Sequence, residues 1–159
     1  MLSSKKELDT YYMRQAIHEA EKAFGANEVP VGVVLVHQNK IVGRAHNQVE
    51  LLKDPTAHAE MLGITQACET LGSERLPETT LYVTLEPCPM CVGAMLLARI
   101  ERLVFAAREK KTGACGSVVN LTADGKWNHR FKIEEGLLEF ESAALLQEFF
   151  KKKRSGRGA

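Results

Sequence analysis

Two short segments constrain this chain more than any other part of its sequence. They are His58-Ala59-Glu60 and, further along, Pro87-Cys88-Pro89-Met90-Cys91, which together supply one imidazole, two thiols and one carboxylate. Cys88 and Cys91 are three residues apart at the start of a predicted helix, so both thiols lie on one face and can converge on one metal ion. If His58 is the third ligand, the fold must bring the two segments together.

Three protein ligands favour a catalytic zinc site, because a structural zinc site normally closes with a fourth Cys or His. A helix N-terminus also lowers the pKa of a thiol and favours the thiolate that zinc binds. His58 and Glu60 are two residues apart and point to nearly opposite sides of a regular helix. We therefore predict that His58, Cys88 and Cys91 bind one Zn²⁺ per subunit, and that Glu60 acts on water at the open position.

Several alternatives to this catalytic site stay open. The other side chains that could close a structural zinc site are Cys68, Cys115, His46 and His129. Cys68 falls on the apolar stripe of a predicted helix, so we expect it in the core. A C-x-x-C pair is also compatible with redox chemistry. Glu60 taken alone is a first-turn carboxylate of the kind that a helix dipole favours.

Helical and strand patterns alternate along the chain. Apolar periodicity and stop signals predict helices over Leu8–Phe24, from Asp54-Pro55-Thr56 to Gly72, over Met90–Arg99 and around residues 143–150. Apolar and β-branched runs predict strands over Val31–Val36, Ile41–Ala45, Thr80–Leu85, Leu103–Ala107 and Phe131–Glu135. Gln38-Asn39-Lys40 predicts a hairpin turn. This alternation indicates an α/β layer architecture, and residues 108–130 are expected to form a functional loop or a partly helical segment.

The length and composition indicate one soluble domain. A chain of 159 residues suits a single core, so we expect one domain over residues 1–159. Its 45% hydrophobic and 26% charged residues are ordinary for a globular protein. No apolar stretch reaches membrane-spanning length, and the first residues lack the apolar core of a secretory signal. We expect a cytoplasmic location and no membrane partner.

The charge is unevenly distributed. The C-terminal tail, about residues 151–159, holds five cations and no acid, and without them the net charge of +1 becomes −4. An acidic body with a basic tail offers a local rather than a global site for polyanions such as nucleic acid. The alternative is a solvated helix end, where cations complement the helix dipole.

The combination of H-x-E with P-C-x-x-C is the signature of zinc nucleobase deaminases. Over nearly its whole length the chain resembles the bacterial tRNA-specific adenosine deaminases of the cytidine/deoxycytidylate deaminase superfamily. The segments that carry this resemblance are Asn27-Glu28-Val29-Pro30-Val31-Gly32, Asp54-Pro55-Thr56-Ala57-His58-Ala59-Glu60, Leu81-Tyr82-Val83-Thr84-Leu85-Glu86-Pro87-Cys88, Lys111-Thr112-Gly113, Asn128-His129-Arg130, Glu135-Gly136 and Ala144-Leu145-Leu146 with Phe149-Phe150.

The resemblance implies a fold and an activity. The implied fold is cytidine-deaminase-like, with three α/β/α layers and a five-stranded mixed sheet flanked by helices, and the chain would be a single deaminase domain with a basic C-terminal tail. The implied reaction is zinc-dependent hydrolysis of adenosine to inosine at the wobble position of a tRNA anticodon, releasing ammonia, with Glu60 as the proton shuttle. A homodimer that binds tRNA is also implied, with the basic tail contacting RNA phosphates.

The resemblance further implies substrate contacts from Asn47, the backbone at Ala59, Glu109, Lys111 and Phe149. Two positions depart from the family pattern. Glu109 stands where the family has Asp near a ribose whose 2′-OH distinguishes RNA from DNA. Cys115 stands where a small residue such as alanine is usual, and we interpret it as a small hydrophobic residue.

Two other functions compete with this hypothesis. A guanine or cytidine deaminase acting on a free base or nucleoside has the same zinc motifs, and only substrate contacts separate it from a tRNA enzyme. The basic tail and Lys111-Thr112-Gly113 argue against it. A non-catalytic, zinc-stabilised RNA-binding subunit is the second alternative, and the intact Glu60 argues against that.

Overall fold

A five-stranded mixed sheet forms the middle layer of the fold. The computed structural model describes residues 4–123 and 125–157, with no side chain described at residue 157. The strands are β1 (Gly32–His37), β2 (Lys40–His46), β3 (Thr79–Leu85), β4 (Arg102–Ala107) and β5 (Lys132–Glu135). Their order across the sheet is β2-β1-β3-β4-β5. Strand β1 is antiparallel to β2 and β3, whereas β3, β4 and β5 run parallel.

Helices cover both faces of the sheet. They are α1 (Lys5–Gly25), α2 (Val49–Leu52), α3 (Ala59–Leu71), α4 (Pro89–Ala98) and α5 (Glu139–Arg157). Helices α1 and α5 pack on one face, and α3 and α4 pack on the other. The predicted three-layer α/β/α fold is therefore confirmed. None of the helices that the structure describes is long and apolar enough to cross a membrane.

Strand β1 is buried on both sides, which explains its continuous apolar sequence. Val33 and Leu35 face the core beneath α3 and α4. Val34 and Val36 face the smaller core beneath α1. A strand that alternates between two buried faces has no polar side, so its sequence is a β-branched run rather than an alternating pattern.

The segment between β2 and α3 differs from its prediction. The sequence predicts a helix opened by Asp54-Pro55-Thr56, whereas α3 begins at Ala59. The Asp54 carboxylate accepts hydrogen bonds from both the backbone N–H and the hydroxyl of Thr56, which makes a local turn. The four-residue helix α2 was not predicted, because so short an element has no apolar periodicity.

The last helix is longer than the sequence predicts. The apolar pattern around residues 143–150 ends before the basic residues, but α5 continues through Arg157. The cations of residues 151–154 therefore stand on this helix. Lysine and arginine are good helix formers, so the basic residues extend a helix that is stabilised by packing of its earlier, apolar part.

Residues 108–131 join β4 to β5 without a described helix or strand. The segment is made of turns, with one isolated bridge between Cys115 and Asn120. Its start lies at the edge of the sheet where β3 and β4 both end, because these strands are parallel and Leu85 pairs with Ala107. The described part of the segment is therefore a loop and not partly helical, and it begins near the start of α4, which follows β3.

Helix α1 lies so close to β1 that Gly32 has no room for a side chain. A Cβ at Gly32 would overlap the Ala16 carbonyl oxygen and the Ala20 nitrogen, and it would lie 2.8 Å from the Cβ of Glu19. We expect Gly32→Ala to lower the free energy of unfolding by about 3 kcal/mol, since backbone atoms must move to admit the methyl group. Urea unfolding measures this change.

The matched control is Gly25→Ala at the end of the same helix, where a Cβ meets nothing within 4 Å. That variant is expected to change the free energy of unfolding by no more than about 1 kcal/mol. Equal midpoints for Gly32→Ala and the wild type would contradict the close packing of α1 on β1.

Candidate metal centre and active-site cavity

The helix starts of α3 and α4 carry the predicted metal ligands. His58 is the N-cap residue of α3, and Cys88 is the N-cap residue of α4, with Pro89 in the first turn. Both N-cap residues have extended backbone, and neither side chain caps its own helix. The imidazole and the thiol are therefore available for another partner.

Three donor atoms converge at this point. His58 Nδ1 lies 3.6 Å from the sulfur of Cys88 and 3.6 Å from that of Cys91. All the ligand atoms of the three residues lie within 4.8 Å of one another. A tetrahedral zinc ion with Zn–S of about 2.3 Å and Zn–N of about 2.0 Å places nitrogen and sulfur about 3.5 Å apart.

The hydrogen-bonding capacity of the imidazole supports the same fit. Nδ1 carries either one hydrogen or one lone pair, so it cannot bond fully to both sulfurs at equal distance. One cation between the three atoms would satisfy all of them. The residues present therefore fit a metal ion with nitrogen and sulfur ligands.

The two thiols have very different acidities. Hydrogen bonds from Cys91 and then from His58 lower the pKa of Cys88 to about 4, against the effect of burial. The hydrogen bond to Cys88 and then burial raise the pKa of Cys91. The hydrogen bond to Cys88 also raises the pKa of His58. Of the two thiols, Cys88 is therefore the more acidic, and a bound cation would replace this arrangement.

The other candidate ligands lie elsewhere. Cys68 packs against the core beneath α3, as the helical stripe predicts. His46 Nδ1 lies 3.4 Å from a carboxylate oxygen of Glu19, and His129 Nε2 lies 2.6 Å from the carbonyl oxygen of Ile100. Among the described residues, none of these joins the cluster of three, so the structure offers no fourth protein ligand of this kind.

Glu60 is a buried carboxylate next to the cluster but outside it. It is the second residue of α3, is only 4% exposed and lines a cavity that His58 and Cys88 also line. Burial raises the pKa of its carboxyl group. The structure thus places Glu60 beside the candidate metal site without making it part of the ligand group.

The cavity has a volume of about 250 Å³ and gathers most of the predicted site residues. Its polar lining combines two residues of the metal cluster with five carboxylates, one amide and one hydroxyl: Glu28, Asn47, Glu50, His58, Glu60, Glu86, Cys88, Glu109 and Thr112. Asn47 follows β2, and its backbone N–H donates to Val31. Ala59 is fully buried in the first turn of α3, between two lining residues.

Lys111 and Phe149 do not line this cavity. Lys111 is exposed, and its backbone N–H donates to the Glu109 carboxylate at 2.9 Å. Phe149 is 3% exposed and packs edge-on against Phe24, with ring centroids 5.9 Å apart. It lines a second cavity, of about 600 Å³, together with Lys152 and Lys153 of α5. The substrate contacts predicted for Lys111 and Phe149 stay predictions.

Two buried carboxylates of the cavity were not predicted to have a role. Glu28 is 2% exposed and accepts the backbone N–H groups of Glu50 and Leu51 at 3.0 and 2.7 Å. Glu86 is 3% exposed and accepts hydrogen bonds from residues 109–117. Their only sequence signal is an acidic residue within an otherwise apolar segment, and this signal names no partner.

Cys115 lies in the loop above Glu86. Burial, followed by the negative charges of Glu86 and Glu60, raises the pKa of its thiol to about 12. The thiolate is the reactive form of cysteine. The environment therefore makes Cys115 a poor nucleophile, in keeping with its interpretation as a small hydrophobic residue.

Comparisons with known proteins show that the chain is similar to deaminases. The family model for MafB19-like deaminases matches residues 8–154. The chain is 47% identical over 151 residues to the tRNA-specific adenosine deaminase of Bacillus subtilis, which covers 95% of this chain and 94% of that relative.

Two solved structures are also similar. One, from a study of A-to-I editing by tRNA:A34 deaminases at the wobble position, has a TM-score of 0.83 and 45% identity, over 86% of this chain and 99% of that chain. A guanine deaminase from Bacillus subtilis has a TM-score of 0.59 and 37% identity, over 62% of this chain and 63% of that chain.

The low acidity of Cys115 is testable by alkylation. In the folded protein at pH 8, iodoacetamide is expected to modify Cys115 roughly 100-fold more slowly than in the urea-unfolded chain, because little thiolate forms. Mass spectrometry of the peptide that contains Cys115 measures both rates, and the unfolded chain is the control. Equal rates would contradict the raised pKa.

Proposed function

The chain belongs to the tRNA-specific adenosine deaminase family, and from this membership we propose that it converts the wobble adenosine of a tRNA anticodon to inosine. The reaction is a hydrolysis, in which water replaces the amino group and ammonia leaves. The observation that carries the proposal is the cavity lined by Asn47, Glu60, His58 and Cys88, with Cys91 completing the ligand cluster beside it. Relatives of this family match the chain over nearly its whole length.

We propose that His58, Cys88 and Cys91 hold one Zn²⁺ per subunit. Equal Nδ1–sulfur distances of 3.6 Å support this assignment, as does the choice of nitrogen and sulfur donors. A zinc ion held by these three residues would supply a Lewis acid that lowers the pKa of water to near neutral. This chemistry suits a hydrolase.

Glu60 is proposed to move the protons of the reaction. Its carboxylate takes a proton from the attacking water and delivers it to the ring nitrogen next to the carbon under attack. It then carries the proton of the new hydroxyl group to the departing amine, so that a carbonyl forms and ammonia leaves. Burial supports this role because it excludes bulk water from a carboxylate that lines the cavity.

The rest of the cavity is proposed to select the substrate. Asn47 contacts the flipped nucleotide, and the backbone at Ala59 holds the edge of the base. Glu109 lines the same cavity and is proposed to contact a neighbouring ribose, whose 2′-OH distinguishes RNA from DNA. Lys111 follows on the same loop, where an exposed cation suits an RNA phosphate.

Helix α5 is proposed to bind the RNA backbone. Lys152 and Lys153 lie over the rings of Phe24 and Phe149, at 4.9 and 5.5 Å from the centroids. These residues line the second cavity together with Asn27, whose neighbour Glu28 lines the cavity beside the metal cluster. The two cavities are thus lined by neighbouring residues of one segment, and cations at the second cavity suit phosphate contacts that supply affinity.

The homodimer expected from the family is also proposed here. An apolar groove supports it, which Leu97 of α4 and Trp127 of the loop line together with Leu96 and Leu121. Leu97 is 82% exposed and Trp127 is 49% exposed. Contiguous exposed apolar surface marks protein interfaces. A cytoplasmic location stays a prediction from the sequence.

The activity is testable by incubating zinc-loaded protein with tRNA and sequencing for inosine at the wobble position. The wild type is expected to produce inosine there. Glu60→Ala is expected to keep its zinc but to lose at least about 10³-fold in kcat, since the variant retains the ligands and lacks the proton carrier. Zinc content is measured by mass spectrometry on the same samples.

Two controls separate the competing functions. Ammonia release from free guanine or cytidine, with no inosine in tRNA, would refute the proposal in favour of a free-base or nucleoside deaminase. Zinc binding and tRNA binding without any turnover would favour a non-catalytic subunit. Loss of zinc from Glu60→Ala would make Glu60 a ligand and contradict its role as proton carrier.

The role of α5 is testable by charge reversal. Lys152→Glu is expected to weaken tRNA binding about 10-fold at low salt and to reduce its salt dependence, with kcat at saturation unchanged. The matched control is Lys132→Glu at the start of β5, next to Arg102 of β4 in the strand register. The active-site cavity lies at the other end of these parallel strands. Equal losses of affinity for the two variants would contradict a specific contact from α5.

A further inference from the structure

One buried carboxylate holds a whole side of the cavity together. Glu86 follows the last residue of β3 and accepts hydrogen bonds from residues 109–117, which we call the anchored loop. Its Oε1 accepts from the Glu109 N–H at 3.1 Å and from the Ser117 hydroxyl. Its Oε2 accepts from the N–H groups of Cys115 and Ser117, at 2.9 and 3.1 Å.

All four partners are donors, and they are shared between both oxygens. A carboxylate meets this demand because each of its oxygens accepts and neither carries a hydrogen. A buried charge without partners is costly, so a carboxylate that is 3% exposed stabilises the one loop conformation that satisfies it. Glu86 therefore favours this position of the loop over other positions.

Gly113 permits this close approach. A Cβ at Gly113 would overlap the carboxylate of Glu86 and the carbonyl oxygen of Glu109. The Gly113 N–H also donates to that carbonyl at 2.9 Å. The loop closes around the carboxylate only because this position has no side chain.

The anchored loop supplies two lining residues of the cavity, Glu109 and Thr112. We propose that Glu86 is a positioning residue: it holds the anchored loop so that Glu109 and Thr112 form the substrate-contacting wall of the cavity. This inference rests on the proposed function, since the wall matters for an RNA substrate. Glu86 acts through the backbone of Glu109, because among the described donors to the carboxylate the Glu109 N–H is the one that belongs to a lining residue.

The first test measures the loop itself and does not need activity. Glu86→Gln keeps the size of the side chain and one acceptor oxygen. If that oxygen takes the donors of Cys115 and Ser117, the amide N–H₂ group faces the Glu109 N–H, donor against donor. Amide hydrogen exchange in residues 109–117 is expected to become about 10-fold faster, with α3 and α4 unchanged. Unchanged exchange in this loop would overturn the proposal.

The second test measures the substrate wall. With an anticodon stem-loop RNA, Glu86→Gln is expected to raise KM about 10-fold while kcat changes less than about threefold and zinc content stays the same. The matched control, Ser117→Ala, removes one donor from Oε1 and keeps every backbone contact, so its KM is expected to stay within about threefold of the wild type. Equal KM changes in the two variants would overturn the proposal.

A mutant cycle separates positioning from general destabilisation. In a background that carries both Glu109→Ala and Thr112→Ala, adding Glu86→Gln is expected to raise KM less than about twofold, because the two side chains that Glu86 positions are already absent. The full 10-fold increase in that background would overturn the proposal. If the wild type is inactive but Glu86→Gln still speeds amide hydrogen exchange in residues 109–117, the proposed function is refuted and the anchoring of the loop stays supported.

If Glu86→Gln does not fold, a second variant tests the same proposal. Gly113→Ala displaces the loop from the carboxylate without changing Glu86, so it is expected to raise both the exchange rate and KM in the same way. A Gly113→Ala protein with wild-type exchange and KM would overturn the proposal by itself.

Discussion

The parallel pairing of β3 with β4 is the constraint on which the site depends. Because the two strands run the same way, the chain must cross back over one face, and α4 makes that crossing. Helix α4 therefore begins at the end of β3, where it places Cys88 beside the His58 start of α3. Because β4 runs parallel to β3, it also ends at this edge of the sheet. The long loop that follows β4 therefore starts beside the cavity that His58 and Cys88 line.

Buried carboxylates turn this edge of the sheet into a defined cavity. Glu28 binds the backbone start of α2, and Glu86 binds the loop at residues 109–117. Loops carry few apolar contacts of their own, so charge-assisted hydrogen bonds to a buried acceptor are an efficient way to fix them. Neither carboxylate belongs to the donor cluster, yet both decide where residues that line the cavity stand.

Local patterns predicted the elements well where one physical signal dominated. The continuous apolar run of β1 and the C-x-x-C spacing at the start of α4 each follow from short-range geometry, and the structure has both. The start of α3 was placed too early, because Asp54 satisfies Thr56 in a local turn instead of capping a helix. Helix α2 is too short for any periodic signal, and two of its N–H groups donate to the buried Glu28 carboxylate, which is distant in sequence.

The sequence by itself determined the chemistry of the site: one imidazole, two thiols at helical spacing and a carboxylate that cannot share the face of His58. These features depend on spacings of two or three residues, and helix geometry fixes the directions in which side chains at such spacings point. Only the tertiary structure decided that Glu86 holds Glu109, Cys115 and Ser117, since these bonds join residues 23 to 31 positions apart. Contacts of that range depend on strand order and register, which local sequence patterns do not encode.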